Sequence, residues 1–294
     1  MRQANCTPPK AGQQGVVLIA VLWIVMALSI IVTGLSRSVR DEAKMLSMAR
    51  QGAQASALGD AAIQLVLQQM AVDAKPVDRV TTVQVPYQGR PMDVQIMPLN
   101  GLVDLNSAKT PLLARLLTVA GGLPESAAEP LAQAIVDYRE QRTAQGASRR
   151  FEASEDLMRV PGVNYDLYAR LAPLLSTAAR GASGVNPRAA PLPVLLVLTL
   201  GNQAQAQALY QQRLQPAGPN VSAAPSMDTS SLPPDIVSQA LGTRYRLQAR
   251  VPLDDGAQAM VVRDIELRPD ARAGLPWRVL GADEWMEPRP TPDA

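Results

Sequence analysis

Residues 16–33, VVLIAVLWIVMALSIIVT, are apolar except for Ser29 and Thr33, and no charged residue occurs from Ala11 to Ser36. These 18 residues are just long enough to cross the hydrocarbon core of a bilayer as one helix. The helical pattern continues beyond them. Leu35, Val39, Leu46, Ala49, Ala53 and Ala57 fall on one helical face, and Ile63, Val66, Leu67 and Met70 prolong it. No proline stands between Pro9 and Pro76, and Ala, Leu, Met and Gln dominate that stretch. The expected object is one helix from about residue 16 to about residue 70, roughly 80 Å long at 1.5 Å per residue. Residues 16–36 form its membrane-spanning part.

After Lys75-Pro76 the period falls to two. Val83, Val85 and Tyr87, then Met92, Val94 and Ile96, alternate with polar residues around the turn Gln88-Gly89-Arg90-Pro91, which predicts a hairpin. The same alternation returns far downstream. Tyr245, Leu247, Ala249 and Val251 interleave with Arg244, Arg246, Gln248 and Arg250, a two-faced strand whose arginines read as a charged solvent face. Residues 258–268 and 277–280 supply further strands, with Asp254-Asp255-Gly256 as a turn.

Between these β parts, residues 103–215 are helical in pattern. Thr110-Pro111 reads as an N-cap followed by proline, Leu112, Leu113, Leu116 and Leu117 as an apolar face, and Gly121-Gly122 as a stop. A second helix is expected from Pro130, a short third from Ser154 and a fourth around Tyr168 and Leu171. A final pair is expected at 191–200 and 204–214. Val103-Asp104-Leu105-Asn106 to Leu113 also aligns with Val185-Asn186-Pro187-Arg188 to Leu195, and Arg139 then corresponds to Arg213. Two copies of a small helical unit would each bury a face that the other leaves open. The fold class is therefore α+β: a long N-terminal helix running into an antiparallel sheet, with the rest of the helix and the first hairpin in 37–102, the second β part in 235–287 and an all-helical insertion at 103–215. Residues 216–234 read as a flexible linker and 288–294 as a disordered tail.

Composition narrows the chemistry. The 294 residues include no His and one Cys. No Ser-His-Asp or Cys-His pair, His-ligated metal or internal disulfide is available. Arg2 and Lys10 account for the whole net charge of +2, so the body beyond residue 15 is formally neutral and lacks a nucleic-acid footprint. No catalytic residues are assigned. The chain reads as a non-enzyme.

Residues 12–23, GQQGVVLIAVLW, resemble the end of a class III prepilin leader, and the long helix followed by a sheet is similar to a type IV pilin-like subunit. The resemblance implies that a prepilin peptidase removes residues 1–15 after Gly15 and that the new N-terminus, Val16, is methylated. Members commonly begin with Phe and carry Glu at the fifth mature position; here these places hold Val16 and Ala20. That Glu neutralises the amino terminus of the subunit ahead, since an unpaired charge in lipid is costly. Its absence fits a subunit with nothing ahead of it, at a tip.

Four further motifs narrow the resemblance to the K-type minor pseudopilins of type II secretion. They are Leu105-Asn106-x-Ala108, Ala134-Ile135-x-Asp137-Tyr138, Phe151-x-x-x-Glu155-Asp156-Leu157-x-x-Val160-Pro161-Gly162-Val163, and Asn186-Pro187-x-x-Ala190-Pro191-x-x-Val194-Leu195. The resemblance implies a helical insertion related to SAM-like and helix-hairpin-helix folds. It also implies a place at the tip of a pseudopilus supporting export across the outer membrane. Implied partners are I- and J-type minor pseudopilins, the pseudopilus and the inner-membrane platform. The implied location is the bacterial inner membrane, with a single pass and the head in the periplasm. Basic residues flank the span on both sides, so topology rests on the leader.

Relatives hold calcium on an acidic cluster following the Asp137 helix. Here Arg149 and Arg150 stand where those acids would, leaving Glu152, Glu155 and Asp156 nearby. Calcium wants several charged oxygen ligands, so no cofactor is expected. A membrane-anchored helix-hairpin-helix DNA-binding protein of a competence-type system is the alternative, with Val160-Pro161-Gly162-Val163 as its phosphate clamp. Acidic residues around that turn oppose it.

Overall fold

The structure, a computed structural model, describes residues 13–73, 76–87, 89–142, 148–179, 183–214, 227–253, 256–270 and 273–287, and within these not the side chains of 13–17, 30–40, 90 and 214. The chain divides into two units, Met1–Gln54 and Ala55–Ala294. Helix α1 is Gln13–Asp73, close to the expected limits at both ends. Among the described residues no helix is long and apolar enough to cross a membrane; part of the expected 16–36 span lies outside the described side chains.

In the second unit a five-stranded antiparallel sheet has the order β1-β2-β5-β6-β7. Its strands are β1 (Thr81–Tyr87), β2 (Arg90–Pro98), β5 (Arg244–Pro252), β6 (Gln258–Glu266) and β7 (Arg278–Glu287). The alternation dictates which face is buried. Val94, Ile96, Leu247, Ala249 and Val261 meet Leu58, Ala62, Ile63, Val66 and Leu67 of α1 in one core. Gly59 permits the close approach of helix and sheet, because a Cβ there would lie 2.5 Å from Cγ2 of Val261. Strand β7 extends well beyond the four residues expected.

Described residues between β2 and β5 build a second core. It contains β3 (Val103–Asp104), α2 (Thr110–Val119), α3 (Glu125–Glu140), α4 (Tyr165–Leu171), β4 (Leu175–Ser176), α5 (Leu192–Leu198) and α6 (Gln203–Leu214). Several local expectations are corrected. Thr110 does not cap α2: the N-cap is Lys109, and the Thr110 hydroxyl turns to Gln133 at 3.3 Å. Helix α3 begins five residues before Pro130. The proline removes one ladder bond, while Ala128, Leu131, Ala132 and Ile135 are buried on both sides of it. Ser154–Arg159 is a 3-10 turn. The insertion is also wider than 103–215. Met97, Leu99 and Leu102 before it, and Leu232 and Ile236 after it, are buried in the same core. The described end of the segment read as linker is thus pinned to this core at Leu232, 5% exposed. The remainder of that linker, and the tail, lie outside the described residues.

The sequence repeat has a geometric counterpart. Val103 pairs in parallel with Leu175, and Val185 in parallel with Val237. Asp104 Oδ1 accepts from the amide of Asn106 at 3.0 Å, and Asn186 Oδ1 accepts from the amide of Arg188 at 3.0 Å. Each turn leads to a helix with proline at its second position, Pro111 in α2 and Pro193 in α5. In the following helices, Arg139 donates to Leu105 O at 2.9 Å and Arg213 donates to Ala190 O. The opening turns of the two copies thus bond alike, while Arg139 and Arg213 reach carbonyls at different places in the alignment, Leu105 and Ala190.

Candidate functional site

Gly15 and Val16 fall in the first turn of α1, and their side chains lie outside the described residues. Ala20 is exposed on the same helix, among Leu18, Leu22 and Trp23, each about 70% exposed (72%, 69% and 69%). No carboxylate occupies this part of α1.

The motif residues of the insertion act mainly as joints. Asn106 donates from Nδ2 to Phe151 O at 2.9 Å and to Thr177 O at 3.0 Å, and its Oδ1 accepts from the Phe151 amide at 2.9 Å. One side chain thereby ties together three segments distant in sequence. Asp104 beside it is buried, and that burial raises its pKa above the ordinary 3.8; hydrogen bonds from Asn106 and Ser107 and the charges of Arg150 and Arg139 only partly oppose this. Val163 donates to Val160 O at 3.1 Å, and Gly162 has φ 96°, a tight turn with proline then glycine at its centre. Asn164, which departs from a two-glycine clamp, caps α4 by accepting from the Leu167 amide at 2.8 Å. The turn is thereby explained as a helix connection.

The acids near the expected calcium position are dispersed among other tasks. Asp156 accepts from the amides of Glu152 and Ala153 at 2.8 and 3.2 Å and pairs with Arg159 at 3.1 Å. Arg149 lies 4.8 Å over the Tyr138 ring, which stacks on Phe151. Among the described residues no group of three or more His, Cys, Asp or Glu could hold a metal.

The arginines of β5 correct the expectation of a free solvent face. Arg246 forms a bidentate pair with Asp264 of β6 at 2.8 and 2.9 Å. Arg244 pairs with Glu266 at 2.9 Å and also donates to Ala178 O of the insertion at 2.6 Å. The register makes this necessary, since Arg246 stands opposite Asp264 and Arg244 opposite Glu266. The Arg246–Asp264 pair floors a groove of about 550 Å³ between the sheet and the 152–178 part of the insertion. Asp283, Leu280 and Trp285 of β7 line one side, and Glu152, Glu155 and Tyr168 the other. The Tyr168 hydroxyl lies 3.3 Å from Ser154 Oγ, which itself donates to Glu155 at 3.3 Å. Burial raises the Tyr168 pKa first, and the charges of Glu155 and Asp283 push it the same way against the Ser154 bond. Four carboxylates, Glu152, Glu155, Asp264 and Asp283, line the groove together with Arg246. Register, which brings β6 and β7 carboxylates under a distant helix, hid this feature from a one-dimensional reading.

Comparison with known proteins places this geometry. No family profile matches the chain, and no curated protein matches its sequence. A solved structure does. The chain is similar to a chain of the GspK-GspI-GspJ complex from the enterotoxigenic Escherichia coli type 2 secretion system, with a TM-score of 0.50 and 16% identity. The match covers 84% of this chain and 99% of that one. At this identity the likeness is one of fold: a GspK-like arrangement of helix, antiparallel sheet and helical insertion.

Proposed function

We propose that the chain is a minor pseudopilin of a type II secretion apparatus, a non-enzymatic subunit that initiates or caps the pseudopilus. The observation that carries this reading is the insertion of a duplicated helical unit between β2 and β5 of a pilin-like sheet, together with a GspK-like fold over nearly the whole chain. Its proposed partners are I- and J-type minor pseudopilins. That neighbour was solved in complex with GspI and GspJ, which supports the choice. Residues 16–36 anchor the subunit in the inner membrane, and the head lies in the periplasm. Ala20, in place of a carboxylate, suits a position with no subunit ahead. The protein needs no cofactor for this role, which is one of shape and contact.

Processing tests the reading directly. Mass spectrometry of the mature protein from membranes should give a chain beginning at methylated Val16. A soluble periplasmic product starting beyond residue 34 would overturn it.

A further inference from the structure

The two edges of the sheet differ. At one edge β1 carries Pro86 and presents the polar Thr81, Thr82 and Gln84. Proline has no amide hydrogen to offer a guest strand, and such devices protect natural edges. At the other edge β7 runs for ten residues without proline or lysine and is exposed along most of its length. Among the described residues it pairs only with β6. Val279, Trp285 and Met286 are 50%, 41% and 49% exposed. A register shift at Asp264/Ile265 leaves the stretch Gly281–Glu287 regularly paired with 258–264, so its outer ladder is regular as well.

Beside this edge lies the acidic groove. Asp264 is neutralised by Arg246. Glu152, Glu155 and Asp283 have no cationic partner within salt-bridge distance among the described residues. The Asp283 carboxylate accepts from the amide of Glu284 at 2.8 Å, the Asp283 carbonyl accepts from Arg263 at 3.2 Å, and Trp285 lines the same wall. Carboxylates around an indole match an ammonium or guanidinium group.

We propose that an extended basic segment from the head of a neighbouring minor pseudopilin adds to β7 as a sixth strand and seats a lysine or arginine side chain between Asp283, Glu155 and Trp285. Strand addition supplies main-chain hydrogen bonds, and the groove supplies selection for charge. The inference rests on the tip-subunit reading and names its docking surface.

Hydrogen exchange on the full chain in detergent, alone and with the I- and J-type subunits of the same system, tests it. Amides of 278–287 should be slowed only in the complex. A Glu155→Lys, Asp283→Lys double variant, with unchanged circular dichroism, should lose about tenfold or more in affinity, and the wild-type affinity should fall with salt. A complex of undiminished affinity in that variant, with β7 unprotected, would overturn the docking surface and leave the tip reading standing. Failure of the wild-type chain to bind either subunit would overturn both. Protection of β7 in the isolated chain that vanishes on deleting 288–294, or that accompanies self-association, would assign the edge to the chain's own tail or to a second copy and refute the proposal.

Discussion

Asp104 and Asn186 occupy the same place in the two copies of the insertion, and both side chains accept from the amide two residues on. Only the first is ionisable. Burial raises its pKa, so the folded state holds the proton more tightly than the unfolded chain does. Between the ordinary 3.8 and the raised value, stability falls as pH rises, and above that window the loss persists. Asp104→Asn keeps the accepting oxygen and removes the charge. The variant should melt above the wild type at neutral pH, and the difference should disappear below the ordinary carboxylate range. Thermal melts across that range would show it; a variant less stable at pH 7 would mean that the Arg139 and Arg150 charges outweigh desolvation. A buried carboxylate read from its neighbours in sequence gives no hint of this, because the desolvation comes from segments far along the chain.

Among the elements, the joint at Asn106 holds the turn after β3, the approach to Ser154–Arg159 and the return after β4. Asn106→Ala removes all three bonds and leaves part-buried backbone groups of Phe151 and Thr177 unpaired. The cost should be about 2–4 kcal/mol, read from chemical denaturation, with faster amide exchange in the insertion than in β5 and β6. Equal loosening of both cores would show that they unfold as one. The helices themselves were legible from their leucine spacing. Their starts were less so: Lys109 rather than Thr110 caps α2, and α3 crosses Pro130 because burial on either side outweighs one missing hydrogen bond.

At the scale of the whole molecule, Pro98 stands opposite Tyr245 in the β2–β5 pair. Both ends of the insertion therefore emerge side by side, and the helix–sheet core is complete without it. Replacing residues 99–243 by a short turn should leave the α1–sheet head folded by circular dichroism. If the insertion provides the tip function, this variant should fail to restore export in cells lacking the gene. Full restoration would separate the insertion from that role.

Periodicity along the chain was sufficient to define α1, the two-faced strands and the helical insertion, because each is a local repeat of apolar positions with a characteristic step. The leader and the motif order carried the resemblance on the same one-dimensional terms. Strand register, the pairing of the β5 arginines with β6 acids, the true width of the insertion and the contrast between the guarded β1 edge and the open β7 edge were settled only by the fold. Each depends on which residues meet across long stretches of chain, and the spacing of residues within one segment carries no information about its partner.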